Sequence, residues 1–329
     1  MFGTLVAIVV LVCWWVYERT QRHTYLMTPG LHPEIDLPHT EEWEIYQNSI
    51  SLCSKKLRAC MEELQLPHKS HHIDLIETGR YENLSREFLK VNPGFTVPVL
   101  VHGGHPIYES HDQIVYAAEH AGAKGAQMLG TTPEERAEVA RWVDHGAIKG
   151  DPMKAGGERA GSSAPGLTIP IFATMLAYIP WWRVGEGILF HGDTRRPVIF
   201  ALLKLRGIHK LPPPALAAIR SSRGNMETHL DSLEEALSDG RTWVCGENVT
   251  LGDVSWMAIL ARIEEVDWSD LFFGEGKRPR VSAYIERLKE RPSYAAALDP
   301  RGEIQNKALR DLQEAKRTSP ELRLQLEGR

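Results

Sequence analysis

Two side chains that can do chemistry, Ser51 and Cys53, stand two positions apart at the start of a predicted helix over 52–64. The free N–H groups and the dipole of a helix N-terminus favour negative charge. A hydroxyl at that place can donate a hydrogen bond to a bound thiolate, and a thiol in the first turn tends to be ionised and partly exposed. The pair therefore predicts a site for sulfur chemistry.

A structural role is the alternative for Cys53. Cysteine and leucine recur at spacings of four, three and four along the same helix, at Cys53, Leu57, Cys60 and Leu64. This spacing is typical of a stripe that faces the core. Both roles stay open for Cys53, whereas Cys60, deeper on the stripe, is expected in the core.

The elements that position this helix are predicted from turns and short apolar runs. Strands are expected over 43–48, 69–75, 97–102 and 106–108, and helices over 52–64, 81–90 and 110–120. The last two strands form a hairpin around the turn 102–105. The order βαβ-α-ββα, with Val97-Pro98 opening the third strand, predicts a thioredoxin-like α/β domain over 43–122.

Four local motifs connect this order to a known family. They are Ser51-Leu52-Cys53-Ser54 with Arg58, Asn92-Pro93-Gly94, Val97-Pro98-Val99-Leu100 and Glu109-Ser110. With them, residues 43–297 resemble the glutathione transferase superfamily. Within it, the Ser-x-Cys motif at the start of the first helix is similar to that of tetrachlorohydroquinone reductive dehalogenases and of zeta-class enzymes such as maleylacetoacetate isomerase.

The resemblance implies a glutathione site built from exposed backbone and a helix end. The peptide bond before Pro98 would be cis, which turns the N–H and C=O of Val97 outward to pair with an extended tripeptide. Ser110 would offer its hydroxyl and free N–H groups to the γ-glutamyl carboxylate, and Glu109 would bind the α-ammonium group. An ordinary helix cap is the alternative for Glu109-Ser110, but the Val97-Pro98 dipeptide upstream favours the ligand.

The resemblance also gives roles to the first pair of residues. Ser51 would donate to the glutathione sulfur and hold it as a thiolate. Cys53 matches the dehalogenase cysteine, which attacks a glutathionyl-aromatic intermediate and forms a mixed disulfide that a second glutathione releases. Glutathione is thus the expected co-substrate, and a hydrophobic, aromatic electrophile is the expected acceptor. Zeta-like cis–trans isomerisation, with Cys53 a bystander, and a non-enzymatic membrane-anchored scaffold are the alternatives.

Residues 133–297 are predicted to form an all-helical acceptor-binding domain. Thr250 and Asp253 form a capping box, so Asp253 is interpreted as a folding signal and not as a catalyst. Residues 150–195 are irregular, and their apolar stretch over 169–182 is interrupted by prolines and too short to span a bilayer. This stretch could line the acceptor pocket, cover it or enter the membrane interface.

The two ends of the chain differ from the middle. Residues 1–17 contain no charged side chain and predict a transmembrane anchor, with a buried N-terminal helix as the alternative. Arg19 and Arg22 follow this run and place the later domains in the cytoplasm. Residues 18–42 contain three prolines and predict a linker, and the highly charged residues 298–329 predict a frayed helix or a tail.

Composition argues against several classes of protein. The 329 residues carry a formal charge of −5 without a basic stripe, which argues against a nucleic-acid partner. Four scattered cysteines, among them Cys13 and Cys245, do not suggest a disulfide framework. Histidines cluster over 68–72 and 102–105 without a cysteine pair nearby, so no metal site is expected. A homodimer is an expectation of the family alone.

Overall fold

The computed structural model describes residues 2–149, 156–298 and 302–328. One mixed sheet lies at its centre, with strands in the order β1-β5-β4-β2-β3. The strands are β1 (Gly30–Leu31), β2 (Trp43–Gln47), β3 (Lys69–His72), β4 (Val99–His102) and β5 (His105–Tyr108). Strand β2 is parallel to β3 and antiparallel to β4, while β4 and β5 form the predicted hairpin.

Helices make up most of the remaining described residues. They are α1 (Phe2–Gln21), α2 (Leu52–Leu64), α3 (Arg86–Val91), α4 (Ser110–Glu119), α5 (Gly122–Leu129), α6 (Pro133–His145), α7 (Ala160–Met175), α8 (Trp181–Phe190), α9 (Arg195–Arg206), α10 (Pro213–Ala236), α11 (Leu251–Glu265), α12 (Ser269–Phe273), α13 (Pro279–Lys289), α14 (Pro292–Leu298), α15 (Glu303–Thr318) and α16 (Pro320–Glu327).

The predicted thioredoxin-like order is confirmed, with shifts at element ends. Helix α2 covers the predicted range, and Leu57, Cys60 and Leu64 on its inner stripe are buried. The helix expected over 81–90 begins later, at α3, because the Ser85 hydroxyl accepts a hydrogen bond from the Phe88 N–H and caps it there. The sheet packs one face against α2 and α4, which positions the ends of both helices.

Helix α11 forms the centre of the helical domain. Its predicted capping box is present, and the Asp253 carboxylate accepts hydrogen bonds from the Thr250 N–H and hydroxyl. The same carboxylate also accepts from the Val244 N–H and the Tyr284 hydroxyl. All of these contacts are structural, which confirms Asp253 as a folding residue.

Helix α2 joins the two domains through buried charges. The Lys55 ammonium group pairs with Glu265 of α11, which also accepts from the Arg262 guanidinium group at 3.1 Å. Burial lowers the pKa of Lys55 to about 8, and the negative charge of Glu265 opposes that shift. Arg58 donates to the carbonyl of Ala297 in α14, so α2 is fixed to both α11 and α14.

Two predictions about non-helical segments need correction. Residues 18–42 are not simply a linker, because Gly30 and Leu31 of β1 pair with Tyr108 and Ile107 and cover the edge of β5. The irregular stretch 150–195 contains α7 and α8 within its described part, and residues 150–155 lie outside the described residues. Helix α7 tolerates two internal prolines because it is packed against α10, α11 and α15.

The tail predicted over 298–329 folds back onto the protein. Helix α15 packs on α7 and buries Ala308, Leu312 and Ala315. Helix α16 follows and buries Leu322 and Leu326. Between its many charged residues, α15 carries an apolar stripe that packs on α7. Helix α7 lies about 140 residues earlier in the sequence.

Helix α1 lies outside the core. None of its described residues is buried, and its 20 residues span about 30 Å, the thickness of the hydrocarbon layer. Among the described residues it is the one helix that is long and apolar enough by itself to cross a membrane. Helices α7 and α8 pass the same test only together, but they bend by 113° and α7 is buried.

Candidate functional site

Ser51 occupies the N-cap position of α2. Its Oγ accepts a hydrogen bond from the Ser54 N–H at 3.3 Å and donates to the carbonyl oxygen of Val97 at 3.4 Å. The residue before it is held from the helical domain, since the Arg262 guanidinium group donates to the carbonyl of Ile50. The Ser51 hydroxyl is therefore fixed at a helix N-terminus, beside the start of β4.

Val97 and Pro98 are joined by a cis peptide bond, as expected. Within the described part of the chain, the Val97 N–H donates to no carbonyl or side chain. Gln113 of α4 donates to the carbonyls of both Pro98 and Ile107, at 2.9 and 2.8 Å. This side chain ties the Val97–Pro98 segment to α4 and leaves the N–H of Val97 open to a ligand.

Glu109 and Ser110 form the turn that opens α4. Glu109 has a positive φ of 68°, a region that costs a residue with a side chain about 1–3 kcal/mol. Its side chain caps nothing in α4 and stays accessible to solvent. Partial burial and the neighbouring Asp112 raise the pKa of Glu109, whereas the positive charge of Lys56 opposes the rise. A strained backbone that presents an unused carboxylate is typical of a binding site.

Cys53 is half-buried in the first turn of α2, so its sulfur is partly accessible. Lys56, one turn further along the helix, is fully buried, and its ammonium group donates to the Gly146 carbonyl at 2.7 Å. Burial lowers the pKa of Lys56, and the negative charges that Cys53 and Glu109 can carry oppose this effect. A buried lysine thus lies close enough to both Cys53 and Glu109 to interact electrostatically with each.

The two remaining cysteines of the folded domains, Cys60 and Cys245, are structural. Cys60 is fully buried, and its Sγ contacts the Ile114 carbonyl at 3.7 Å. Burial raises the pKa of Cys60, and burial likewise raises the pKa of Cys245 to about 12. Both thiols therefore stay protonated at neutral pH, and Cys60 lies in the core as predicted.

A cleft of about 170 Å³ opens next to Ser51 and Val97. Three aromatic rings, those of Tyr81, Phe95 and Phe200, contribute to its wall. The Tyr81 hydroxyl and the Asn83 side-chain oxygen are buried there without a hydrogen-bond partner among the described residues. The cleft wall therefore combines flat apolar surface with two unpaired polar atoms buried beneath it.

The helical domain closes the cleft with His191 and Arg196. The His191 Nδ1 accepts a hydrogen bond from the Asp193 N–H at 3.0 Å, which leaves the proton on Nε2. Burial, aided by the positive charge of Arg196, lowers the pKa of His191 to about 4. His191 is neutral at physiological pH, and Arg196 supplies positive charge to the cleft.

Sequence reasoning did not point to Lys56 or to the aromatic residues of the cleft; it named Ser51, Cys53, Val97, Pro98, Glu109 and Ser110. Lys56 could have been found, because it lies three residues after Cys53 and so shares its helix face. Tyr81, Phe95 and Phe200 carry no local signal, since only the packing of α8 and α9 against the first domain brings them together.

Two family models match the chain. Residues 50–120 match the glutathione S-transferase N-terminal domain, and residues 215–287 match the glutathione S-transferase C-terminal domain. The fold and the site together define a thioredoxin-like domain with an attached helical domain of the glutathione transferase type. The chain belongs to the glutathione transferase superfamily.

Relatives of known name agree with this assignment. The tetrachloro-p-hydroquinone reductive dehalogenase of Sphingobium chlorophenolicum is 22% identical over 266 residues, covering 78% of this chain and 95% of that enzyme. A glutathione S-transferase of Arabidopsis thaliana, named TCHQD, is 25% identical over 267 residues, covering 76% of this chain and 87% of its own.

Solved structures share the fold. The β-etherase LigF from Sphingobium sp. strain SYK-6 superposes with a TM-score of 0.64 at 18% identity, covering 79% of this chain and 99% of that one. A theta-class glutathione S-transferase from Xanthomonas axonopodis pv. citri was solved with glutathione bound. It superposes with a TM-score of 0.53 at 18% identity, covering 80% of this chain and 99% of that one.

Proposed function

We propose that this protein is a membrane-anchored glutathione transferase that acts on a hydrophobic, aromatic electrophile. The observation that carries the proposal is the contact between the Ser51 hydroxyl and the carbonyl of Val97, beside the cis bond to Pro98. Gln113 connects this point to the N-terminus of α4, where Ser110 lies. A donor for sulfur, an open backbone edge and an anion-binding helix end thus adjoin one another.

In the proposed reaction, glutathione pairs with the backbone of Val97 and places its γ-glutamyl carboxylate at Ser110. Glu109 then binds the α-ammonium group. The thiol of glutathione loses its proton to solvent, and the Ser51 hydroxyl turns from the Val97 carbonyl to the sulfur and stabilises the thiolate. The thiolate forms a carbon–sulfur bond to the acceptor, and an electronegative substituent leaves with its bonding electrons.

A reductive step at Cys53 extends this chemistry to halogenated quinols. The Cys53 thiolate attacks the sulfur of the glutathionyl-aromatic intermediate, a sulfur–sulfur bond forms, and the aromatic carbon takes a proton. A second glutathione thiolate attacks the mixed disulfide and releases glutathione disulfide with Cys53 restored. The half-buried sulfur, close to the charge of Lys56, supports this role.

Glutathione binding and turnover test the transferase. We expect titration calorimetry of the full chain in detergent to give a binding heat that weakens in Ser110→Ala. Turnover of an aromatic halide should fall about 10²–10³-fold in Ser51→Ala, the effect of removing one transition-state donor. Ser319→Ala removes a similar N-cap serine from α16 and serves as the control. A wild-type protein that gives no heat would favour the scaffold.

Mass spectrometry after exposure to glutathione and a chlorinated hydroquinone tests the reductive step. The wild type should carry a glutathione adduct on Cys53, and Cys53→Ser should accumulate the glutathionyl-aromatic product. Cys245→Ser, which changes another half-buried thiol, should behave like the wild type. Unchanged turnover in Cys53→Ser would leave Ser51 as the catalytic group, as in simple transfer or zeta-like isomerisation.

The anchor forms a separate part of the proposal. None of the described residues of α1 is buried, and Trp14, Trp15 and Tyr17 near its end suit a membrane interface. Arg19 and Arg22 on the C-terminal side support a single-pass orientation with both domains in the cytoplasm.

A further inference from the structure

Helices α8 and α9 present an exposed apolar surface, which we call the α8–α9 face. It consists of Trp181, Trp182, Leu189, Val198, Leu202 and Leu205. Their exposed fractions run from 42% at Leu202 to 72% at Leu205. Water-soluble surfaces seldom carry so many large apolar side chains together, so this face is expected to contact another phase or molecule.

The charge around this face differs in sign from that of the chain. Residues 181–210 contain six basic and two acidic side chains, a net charge of +4, whereas the whole chain carries −5. The Arg183 guanidinium group lies over the Trp182 ring at 3.8 Å, and the Lys204 ammonium group lies 5.2 Å from the Trp181 ring. Tryptophan beside lysine and arginine is the composition of helices that lie in the interface of an anionic bilayer.

Direct contacts place this face level with the end of α1. The Trp15 Nε1–H and the Arg19 guanidinium group both donate to the carbonyl of Leu189, each at 3.3 Å. The Trp14 ring packs edge-on against Phe190 at 6.2 Å. If α1 spans the bilayer as proposed above, these tryptophans lie at the edge of the hydrocarbon layer, and the end of α8 lies at the same depth.

We propose that the α8–α9 face rests on the surface of an anionic bilayer as a second membrane contact, beside the anchor. The inference rests on the anchor of the proposed function. A second copy of this chain fits less well, because pairing the same face across a two-fold axis would bring two positive surfaces together.

The position of the cleft gives this contact a consequence. His191, Arg196 and Phe200 line the cleft and belong to the same segment as the face. The segment proposed to contact the lipid therefore also forms one wall of the cleft. The cleft beside Ser51 therefore lies next to the proposed lipid contact, which suits an apolar acceptor dissolved in the bilayer.

Environment-sensitive labelling of single cysteines tests the contact on the full chain reconstituted in vesicles. The background is Cys13→Ser, Cys53→Ser and Cys245→Ser, while buried Cys60 stays. A nitrobenzoxadiazole label at Leu205→Cys reports the face, and Trp182→Cys is a second reporter should the first variant not fold. Leu324→Cys, at an exposed leucine of α16, is the matched control, and a protein that keeps only Cys13 and Cys60 reports insertion of α1.

In vesicles of phosphatidylcholine and phosphatidylglycerol we expect a blue shift at position 205 and loss of its fluorescence with nitroxide-labelled lipid. Position 324 should show neither change. The signal at 205 should weaken in phosphatidylcholine alone, while the signal at Cys13 persists in both.

Each other outcome overturns part of the proposal. A label at 205 that stays water-like while Cys13 is quenched removes the second contact and keeps the anchor. A label at Cys13 that stays water-like removes the anchor itself. A blue shift at 205 without quenching by the lipid nitroxide shows that protein, such as a second copy, covers the face. Equal quenching at 205 and 324 means adsorption without a specific face.

Discussion

Tyr81 shows at the scale of one residue how the cleft can choose its acceptor. Its hydroxyl is buried without a partner among the described residues, while Gly187 of α8 lies so close that a Cβ there would sit 2.4 Å from that oxygen. The ring is therefore held in place by packing and not by its polar atom. We expect a hydroxylated aromatic acceptor to supply the missing hydrogen bond once its binding opens the contact between Tyr81 and Gly187.

We expect Tyr81→Phe to separate stability from specificity. A buried hydroxyl without a partner costs free energy, so the variant should be as stable as the wild type or about 1 kcal/mol more stable. Its kcat/KM should fall for a hydroxylated acceptor and stay unchanged for a similar acceptor without the hydroxyl group. Steady-state kinetics with the two acceptors and urea unfolding measure these effects.

Tyr284→Phe is the matched control for this change. The Tyr284 hydroxyl donates to the Asp253 carboxylate at 2.7 Å in the core, so its removal should destabilise the protein. An equal loss of stability in Tyr81→Phe would contradict the absence of a partner at that position.

At the scale of elements, the joint between α2 and α11 depends on Glu265. Replacing it with alanine leaves the buried charges of Lys55 and Arg262 without their carboxylate. We expect Glu265→Ala to lower the free energy of unfolding by about 3–5 kcal/mol, measured by urea denaturation. The neighbouring Glu264→Ala, which removes an exposed pair with Lys289 at 3.3 Å, should change it by less than about 1 kcal/mol.

The packing of α15 on α7 gives a second prediction for elements. Leu312 is almost fully buried in that contact, so Leu312→Ala should cost about 2–5 kcal/mol in unfolding free energy. Leu324→Ala, at a leucine 58% exposed on α16, is the control and should cost much less. Equal small effects would mean that this end of the chain does not hold the helical domain together.

The sequence was a good guide to elements whose partners lie close in the chain. Ser51 and the apolar stripe of α2, the Val97–Pro98 segment and the capping box at Asp253 are local patterns, and each was predictable. The strand β1 was not, because Gly30 and Leu31 acquire their role only through pairing with β5. At α15 a frayed helix or a tail was expected, and its packing was missed for the same reason, since its stripe has meaning only against α7.

At the scale of the whole molecule, a buried histidine makes stability depend on pH. The pKa of His191 is about 4 in the folded protein, because of burial and the charge of Arg196, against about 6.5 for an ordinary histidine. Between these values the unfolded chain binds a proton that the folded protein does not. Stability from this residue is thus fully present above pH 6.5 and is lost as pH falls toward 4.

We expect His191→Asn to weaken this dependence. Lowering the pH from 7 to 5 should reduce the free energy of unfolding of the wild type by about 2 kcal/mol through His191. The variant should not show this loss. Urea unfolding at the two pH values measures the difference. His209→Asn, at an exposed histidine in the same part of the helical domain, should keep the wild-type dependence. The same loss in all three proteins would contradict a neutral, buried His191.

The return of α15 to α7 also sets the order in which the chain can fold during synthesis. Helix α7 leaves the ribosome long before α15, which covers it. Until α15 is synthesised, the apolar surface of α7 that it covers stays exposed to solvent. If α1 is captured by the membrane first, this waiting chain is already tethered beside the lipid. A premature stop before α15 would then release a protein whose family motifs are all present, yet whose helical domain stays open and prone to aggregation.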